Sequence, residues 1–235
     1  MGDSLQGQRV VVIGGTSGIG FGVASAAKEA GASVVVASSR KEKVEAAVAR
    51  LGADAQGAVI DTGSDESVAA AFAEIGAFDH LVYSAGDWDG RPTDMWDLEA
   101  GQWIFRIRFW GALRAIKHAR QSISSSGSIT LTSGVAAHKP RPGNSVTSAG
   151  AAAIENLARG LAVDLAPIRV NCVSPGYILT EALEGLEDAI RPMTARQPVA
   201  RMGEPGEIAQ AYLYFMRGTY TTGTVAIVDG GQVLR

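Results

Sequence analysis

The sequence predicts a single α/β domain of Rossmann-like architecture, a doubly wound parallel sheet of about seven strands with helices on both faces. Three observations carry that expectation. Short apolar runs alternate with helix-like stretches from end to end. Several of those runs are nearly continuous Val, Ile and Leu, as suits strands covered on both faces. The first run passes directly into a glycine-rich turn followed by an Ala-rich stretch. No repeat, linker or composition shift divides the chain, so residues 1–235 read as one domain. A chain of that length buries a sufficient core without staples.

Taken in order, the apolar runs place strands at 9–13, 33–37, 56–60, 80–84, 128–132, 169–174 and 224–228. Helical patterns fall between them at 18–30, 41–51, 64–76, 98–122, 145–165 and 204–217. Ser64 with Ser67, and the acids Asp65 and Glu66 between them, read as a helix N-terminus. Two connections are long enough to carry function. Residues 134–144 hold Pro140 and Pro142 and little pattern, and residues 175–201 hold Pro192 and Pro198 with only a weak helical signal. Both follow expected strands, and ligands of open α/β sheets bind outside the carboxyl ends of the strands. The stretch 175–201 is the expected substrate loop.

Charge and composition exclude several classes. There are 21 basic and 24 acidic side chains, a formal charge of −3, with no basic run, so a nucleic-acid partner is not expected. The single cysteine, Cys172, excludes an intramolecular disulfide framework and suits a reducing compartment. It reads as a small buried residue rather than a nucleophile. The first residues lack a basic stretch followed by an apolar one, and no window of 18 apolar residues exists. A cytoplasmic protein with no membrane span and no metal site is the expectation. Glycine is the compositional outlier, 29 of 235 residues, and points to tight turns and close backbone approaches.

The glycine turn is the first functional signal. Val10-Val11-Val12-Ile13 runs into Gly14-Gly15-Thr16-Ser17-Gly18-Ile19-Gly20. A glycine permits the tight turn, and Gly18 and Gly20 let a pyrophosphate approach the helix N-terminus, where free N–H groups and the dipole favour an anion. A plain strand-to-helix turn is the competing reading. The second strand ends at Ser38, Ser39 and Arg40. An acid there would bond a ribose hydroxyl and repel a 2′-phosphate; hydroxyls and a guanidinium bind the phosphate. NADP(H) is therefore favoured over NAD(H), against the alternative that Arg40 and Lys41 merely open a solvated helix.

Together these residues resemble the short-chain dehydrogenase/reductase family over almost the whole chain. Gly14–Gly20 is similar to its TGxxxGIG turn, with Ile13 where Thr is usual. Asp61-Thr62 resembles the acid-containing pair that contacts adenine, and Tyr83-Ser84-Ala85-Gly86 resembles NNAG with both Asn positions replaced. Asn171-Cys172-Val173-Ser174-Pro175-Gly176, with Ile178 and Thr180, resembles the segment that cradles the nicotinamide carboxamide. The segments 201–209 and 222–231 complete the pattern. The resemblance implies cofactor contacts at Gly14, Thr16, Ser17, Gly18, Ile19, Gly20, Asp61, Thr62, Ser84, Ala85, Gly86, Pro175, Gly176, Ile178 and Thr180, with Ser39 and Arg40 at the 2′-phosphate.

The family's catalytic set departs. It has a Tyr acid/base, a Lys four residues later, a Ser thirteen before the Tyr and an Asn on the preceding helix. Ser133 matches the Ser; thirteen onward stands Val146, four further Gly150, and the Asn position is Arg108. No Tyr-x-x-x-Lys pair exists anywhere in the chain. Valine carries no proton and glycine no charge, so the family's proton transfer must be supplied otherwise or lost. Ser133 and Arg108 are the expected catalytic pair, as hydrogen-bond donors to a substrate oxygen, with Arg108 leaning into the volume left at Val146 and Gly150. Arg108 stays protonated and cannot shuttle a proton. His138 and Lys139, on the loop after Ser133, are the next candidates, followed by Tyr177 and the segment Asp87-Trp88-Asp89-Gly90. Each has a plainer reading as a solvated or packing residue. The function implied is an NADP(H)-dependent oxidoreductase acting on a small carbonyl or alcohol substrate. The alternative is an NADP(H)-binding pseudoenzyme, a sensor or partner subunit. The small-residue helix at 145–165 and the aromatic residues Trp103, Phe105, Phe109 and Trp110 lead us to expect a homo-tetramer or homo-dimer.

Overall fold

The computed structural model describes residues 4–86 and 98–235. Its described strands are β1 (Arg9–Ile13), β2 (Ser33–Ser38), β3 (Ala55–Val59), β4 (Phe78–Tyr83), β5 (Ile123–Thr132), β6 (Arg169–Pro175) and β7 (Val225–Val228). All are parallel, in the order β3-β2-β1-β4-β5-β6-β7. The helices are α1 (Gly18–Glu29), α2 (Lys41–Leu51), α3 (Asp65–Ile75), α4 (Leu98–Phe105), α5 (Ala112–Ala119), α6 (Ser145–Asp164), α7 (Glu187–Thr194) and α8 (Pro205–Arg217).

Strand alternation divides the apolar residues between two cores. Val11 and Ile13 of β1 point to one face, with Leu81, Ile129, Phe72, Ile116 and Ile154. Val10 and Val12 point to the other, with Val34, Val36, Val23, Ala24 and Tyr212. The period of two in β1 thus faces α3, α5 and α6 on one side and α1 and α8 on the other. This two-sided burial is the reason β1 reads as an unbroken apolar run. The strand order reverses between β1 and β4, the position at which a doubly wound sheet opens a crevice at its carboxyl edge.

Three departures from the sequence expectation have physical causes. β5 begins at Ile123 rather than 128, because the polar run Ser124–Ser126 joins the sheet through a register shift opposite Phe78 and His80. The expected continuous helix 98–122 contains a π-helical stretch, Arg106–Gly111, between α4 and α5. There the Tyr83 hydroxyl donates to the Ile107 carbonyl at 2.6 Å, taking an acceptor that an α-helix would commit to its own ladder. Finally, the loop 175–201 contains α7, whose pattern is obscured by Pro192 within it. Elsewhere the expected signals hold: Ser64 caps α3 by accepting the Ser67 N–H at 3.2 Å.

Candidate active site and cofactor cleft

A cleft of about 750 Å³ lies across the carboxyl ends of the strands. The residues that the family resemblance assigns to the cofactor line it, Gly14, Thr16, Ser17, Gly18, Ile19, Gly20, Ser39, Arg40, Asp61, Thr62, Ser84, Ala85, Gly86, Pro175, Gly176, Ile178 and Thr180, as do Arg108 and Ser133, whereas His138 is not among its lining residues. Residues separated by more than 160 positions meet there because most belong to a strand end or the turn after it, with Ile19 and Gly20 in the first turn of α1 and Arg108 in the π-helical stretch. Asp87-Trp88-Asp89-Gly90 lie outside the described residues.

One end of the cleft is built for an oxyanion. A Cβ on Gly20 would stand 2.1 Å from the Gly14 carbonyl oxygen and 2.4 Å from Ser84 Oγ, so only glycine lets α1 start this close to the strand ends. The Gly18 N–H at the head of α1 already donates to a carboxylate oxygen of Glu181, at 2.9 Å. That N–H therefore points outward, available to an anionic oxygen, the chemistry a phosphate would use there. Ser39, Arg40 and Lys43 line the wall beyond β2. Lys43 had no place in the sequence expectation, although it lies three residues after Arg40, on the first turn of α2, and lines the same wall. Asp61 is engaged within its own turn, accepting the Gly63 N–H at 2.8 Å. These residues fit a dinucleotide carrying an adenosine 2′-phosphate.

At the other end Ser133 of the cleft wall meets a buried carboxylate. Ser133 donates its hydroxyl to Glu155 Oε1 at 2.8 Å, and His138 Nε2 lies 2.9 Å from the same oxygen. Glu155, on α6, is only 4% exposed. Its carboxylate therefore joins a residue of the cleft wall to a histidine whose side chain is 28% exposed. Ser133 was expected as a hydrogen-bond donor toward substrate. Its proton is instead committed to Glu155, and its lone pairs are what remain for the cleft. Glu155 itself was missed. Its available signal was a carboxylate on the buried face of an Ala-rich helix, four residues after Ala151.

The α6 positions facing the cleft also differ from the sequence count. Thr147, Ala151 and Ile154 line it at helical spacing, with Asn144 just before the helix. Val146 instead lies toward Gly101, whose Cβ would be 3.2 Å from Val146 Cγ1. A Cβ at Gly150 would meet Ile104 Cγ2 at 3.3 Å. Counting thirteen residues across the proline-containing loop was one residue short, since the helix phase settles which side chains turn inward. Thr147 and Ala151 therefore stand where Val146 and Gly150 were expected, and neither supplies a titrating group or a cation.

Arg108 emerges from the π-helical stretch and lies over Gly86 rather than in the volume beside α6. Its Nη2 donates to the Gly86 carbonyl at 3.4 Å, and a Cβ on Gly86 would stand 2.7 Å from Arg108 Cγ. Tyr83 below it is no acid–base group: burial pushes its phenol up to about 12. Burial likewise pushes the Cys172 thiol up to about 12, consistent with an inert buried side chain. Tyr177 and Lys139 line the cleft. Among the described residues no group of three or more His, Cys, Asp or Glu could hold a metal ion, and no helix is long and apolar enough to cross a membrane.

A doubly wound parallel sheet with a glycine cradle at its reversal point defines a nucleotide-binding α/β protein. The comparisons with known proteins narrow this. The family model described as Enoyl-(Acyl carrier protein) reductase matches residues 13–232. The short-chain dehydrogenase/reductase ATR9 of Stachybotrys chlorohalonatus is 34% identical, with 99% of each chain covered. The cis-4-hydroxycyclohexanecarboxylate dehydrogenase of Sinomonas cyclohexanicum is 34% identical, with 98% of each covered. A solved small-chain dehydrogenase in complex with NADPH superposes with a TM-score of 0.83 at 38% identity, covering 97% of this chain and 99% of that one. The chain belongs to the short-chain dehydrogenase/reductase family, oxidoreductases that bind NAD(P)(H).

Proposed function

We propose that the protein is an NADP(H)-dependent oxidoreductase that interconverts a small alcohol and its carbonyl, with Ser133, Glu155 and His138 handling the proton. The observation that carries the reading is the convergence of Ser133, a lining residue of the cleft, and His138 on one oxygen of Glu155, buried behind the cleft wall. Bound nicotinamide cofactor supplies or accepts the hydride. In the oxidising direction the substrate hydroxyl gives its proton to Ser133 Oγ as the Ser133 proton passes to Glu155, and His138 returns it to solvent. Each transfer reverses for reduction, so the carbonyl oxygen gains the Ser133 proton. Arg108 stays charged and stabilises negative charge on that oxygen without exchanging a proton.

NADPH titration followed by turnover of a carbonyl and alcohol panel tests the reading. NADPH is expected to bind at least tenfold more tightly than NADH, because a charge-assisted phosphate contact contributes about 1.5–3 kcal/mol. Arg40→Asp erases that preference. Glu155→Gln is expected to lower turnover by about 10²–10⁴, the usual worth of positioned proton transfer. Arg108→Met costs about 10²–10³ and leaves NADPH affinity within a few-fold. Tight NADPH binding with no turnover of any substrate would select the pseudoenzyme reading, and equal affinity for NADPH and NADH would sink the cofactor assignment.

The same reading places the protein in the cytoplasm, in keeping with its single buried thiol, and makes it a homo-dimer or homo-tetramer. Trp110 is 57% exposed beside α5 and Val163 is 78% exposed on α6, apolar surface that a second copy would cover. A monomer mass by light scattering at micromolar concentration refutes the assembly.

A further inference from the structure

The overall charge of the chain is negative, yet the cleft is not. Its described lining holds six cations, Arg40, Lys43, Arg106, Arg108, Lys139 and Arg141, against two carboxylates, Asp61 and Glu181. Arg40 and Lys43 are accounted for by a cofactor phosphate at the β2 end. Lys139 and Arg141 are not, because they stand on the loop after Ser133, at the opposite end. Both also line a side recess of about 360 Å³ that opens beside the cleft, together with Arg196 and with no acidic side chain among its described residues.

The partners of these two cations are neutral. Lys139 Nζ donates to the Gln232 carbonyl at 2.9 Å. Arg141 Nη1 donates to Tyr177 Oη at 2.8 Å and reaches the Met193 sulfur, with its guanidinium 5.4 Å from the Tyr177 ring centroid. Elsewhere in the fold cations divide: Lys117, Arg191 and Arg201 find carboxylates, at Asp65, Asp188 and Glu207, whereas Lys28 and Arg169 are held by backbone carbonyls and do not line the cleft. Neither Lys139 nor Arg141 has an acidic partner among the described residues, and both are half-buried. Two partly desolvated cations that face an open cleft without a carboxylate suit an anionic ligand, which would offset their desolvation. The nearby carboxylate of Asp229 is occupied with the Gly231 and Val233 N–H groups, at 2.8 Å each.

We infer that Lys139 and Arg141 form the anion-binding end of the substrate site, and that the substrate is an organic acid whose carboxylate they hold while its alcohol or carbonyl carbon lies beside Ser133. Arg141 supplies the planar fork that carboxylates favour, and Tyr177 braces it by hydrogen bond and ring contact. Arg196, on the far wall of the recess, adds long-range attraction. The placement of the reacting carbon rests on the oxidoreductase reading above; the anion subsite rests on charge and geometry alone.

The test is calorimetric titration of the full-length protein with cyclohexanecarboxylate and with its neutral isostere cyclohexanecarboxamide, with and without saturating NADP⁺. The carboxylate is expected to bind at least tenfold more tightly than the amide, with an affinity that falls as salt rises. Arg141→Gln and Lys139→Gln are each expected to lose that advantage about tenfold while leaving amide binding and NADPH affinity within twofold. Rescue by Arg141→Lys is expected to be partial, since a point charge replaces the fork. Equal affinity for the two probes, or no detectable binding of the carboxylate at 10 mM, overturns the inference. NADPH affinity, measured separately, reports on the oxidoreductase reading, so the two failures are distinguishable.

Discussion

The carboxylate of Glu181 occupies the donor that a cofactor phosphate needs, which makes Glu181→Gln a direct probe of the cradle. Phosphate binding at Gly18 must break the 2.9 Å bond from that N–H to Glu181 Oε2. A hydrogen bond to a charged group contributes about 1.5–3 kcal/mol, and the amide retains roughly half of it. Glu181 is exposed, so screening reduces the difference to about 1 kcal/mol. Once displaced, the carboxylate still faces the phosphate, and like charges 4 Å apart in water repel by about 1 kcal/mol. The expected gain for Glu181→Gln is therefore roughly 1–2 kcal/mol, about five- to thirtyfold in the NADPH Kd. Fluorescence titration at low and at physiological salt reads it, and the gain should shrink with salt. Glu184→Gln, an exposed acid on the same loop with no such bond, is the control and should shift Kd less than twofold. An unchanged or weaker Kd for Glu181→Gln refutes the claim that this helix terminus is the phosphate donor.

Two further outcomes follow from the geometry. Thr147→Tyr with Ala151→Lys and Arg108→Asn should raise carbonyl reduction above the parent's rate by the family's ordinary route, whereas Val146→Tyr with Gly150→Lys should destabilise the protein against Ile104 without raising it; a rate above the parent's in the second variant and not the first would refute this helix phase. His80, held between the Ser128 hydroxyl at 2.8 Å and Gln8 Oε1 at 2.9 Å, is depressed to about 4 by burial and then by Arg169. Its neutral form is the one that folds, so its stabilisation is fully present above about pH 6.5 and is lost as pH falls toward 4, about 3 kcal/mol in total. Denaturant melts at pH 7 and 4.5 check this, and a parent-to-His80→Gln difference that does not change with pH refutes it.

The fold and the cofactor end were legible because both are written in local pattern. Val10–Ile13 followed by the glycine turn specifies a buried strand, a tight turn and a helix start, and Ser39 and Arg40 follow their strand directly. The catalytic end was less legible because it depends on phase and on partners distant in sequence. A helix turns 100° per residue, so an error of one position across the loop 134–144 exchanged Thr147 and Ala151 for Val146 and Gly150. Glu155 reads as an ordinary helix acid until Ser133 and His138 are brought to it. The π-helical stretch was invisible because its cause, the Tyr83 hydroxyl, is contributed by a strand more than twenty residues earlier.

These departures from the family pattern are physically linked. With the second Asn of NNAG replaced by Ser84 and the first by Tyr83, a phenol replaces an amide beneath the helix that carries Arg108. That phenol takes the Ile107 carbonyl and holds Arg108 within a widened turn. From there the guanidinium crosses Gly86, where any larger residue would block it. On α6, Thr147 and Ala151 withdraw the proton donor and the cation from the cleft wall, and a carboxylate one turn further on, Glu155, engages Ser133 from behind. His138 shares that carboxylate oxygen, with its side chain partly exposed to solvent. Restoring the family's Tyr and Lys without replacing Arg108 would add a seventh cation to a cleft whose described lining already holds six. Each substitution makes sense only with the others, which is why the swap must be made as a set.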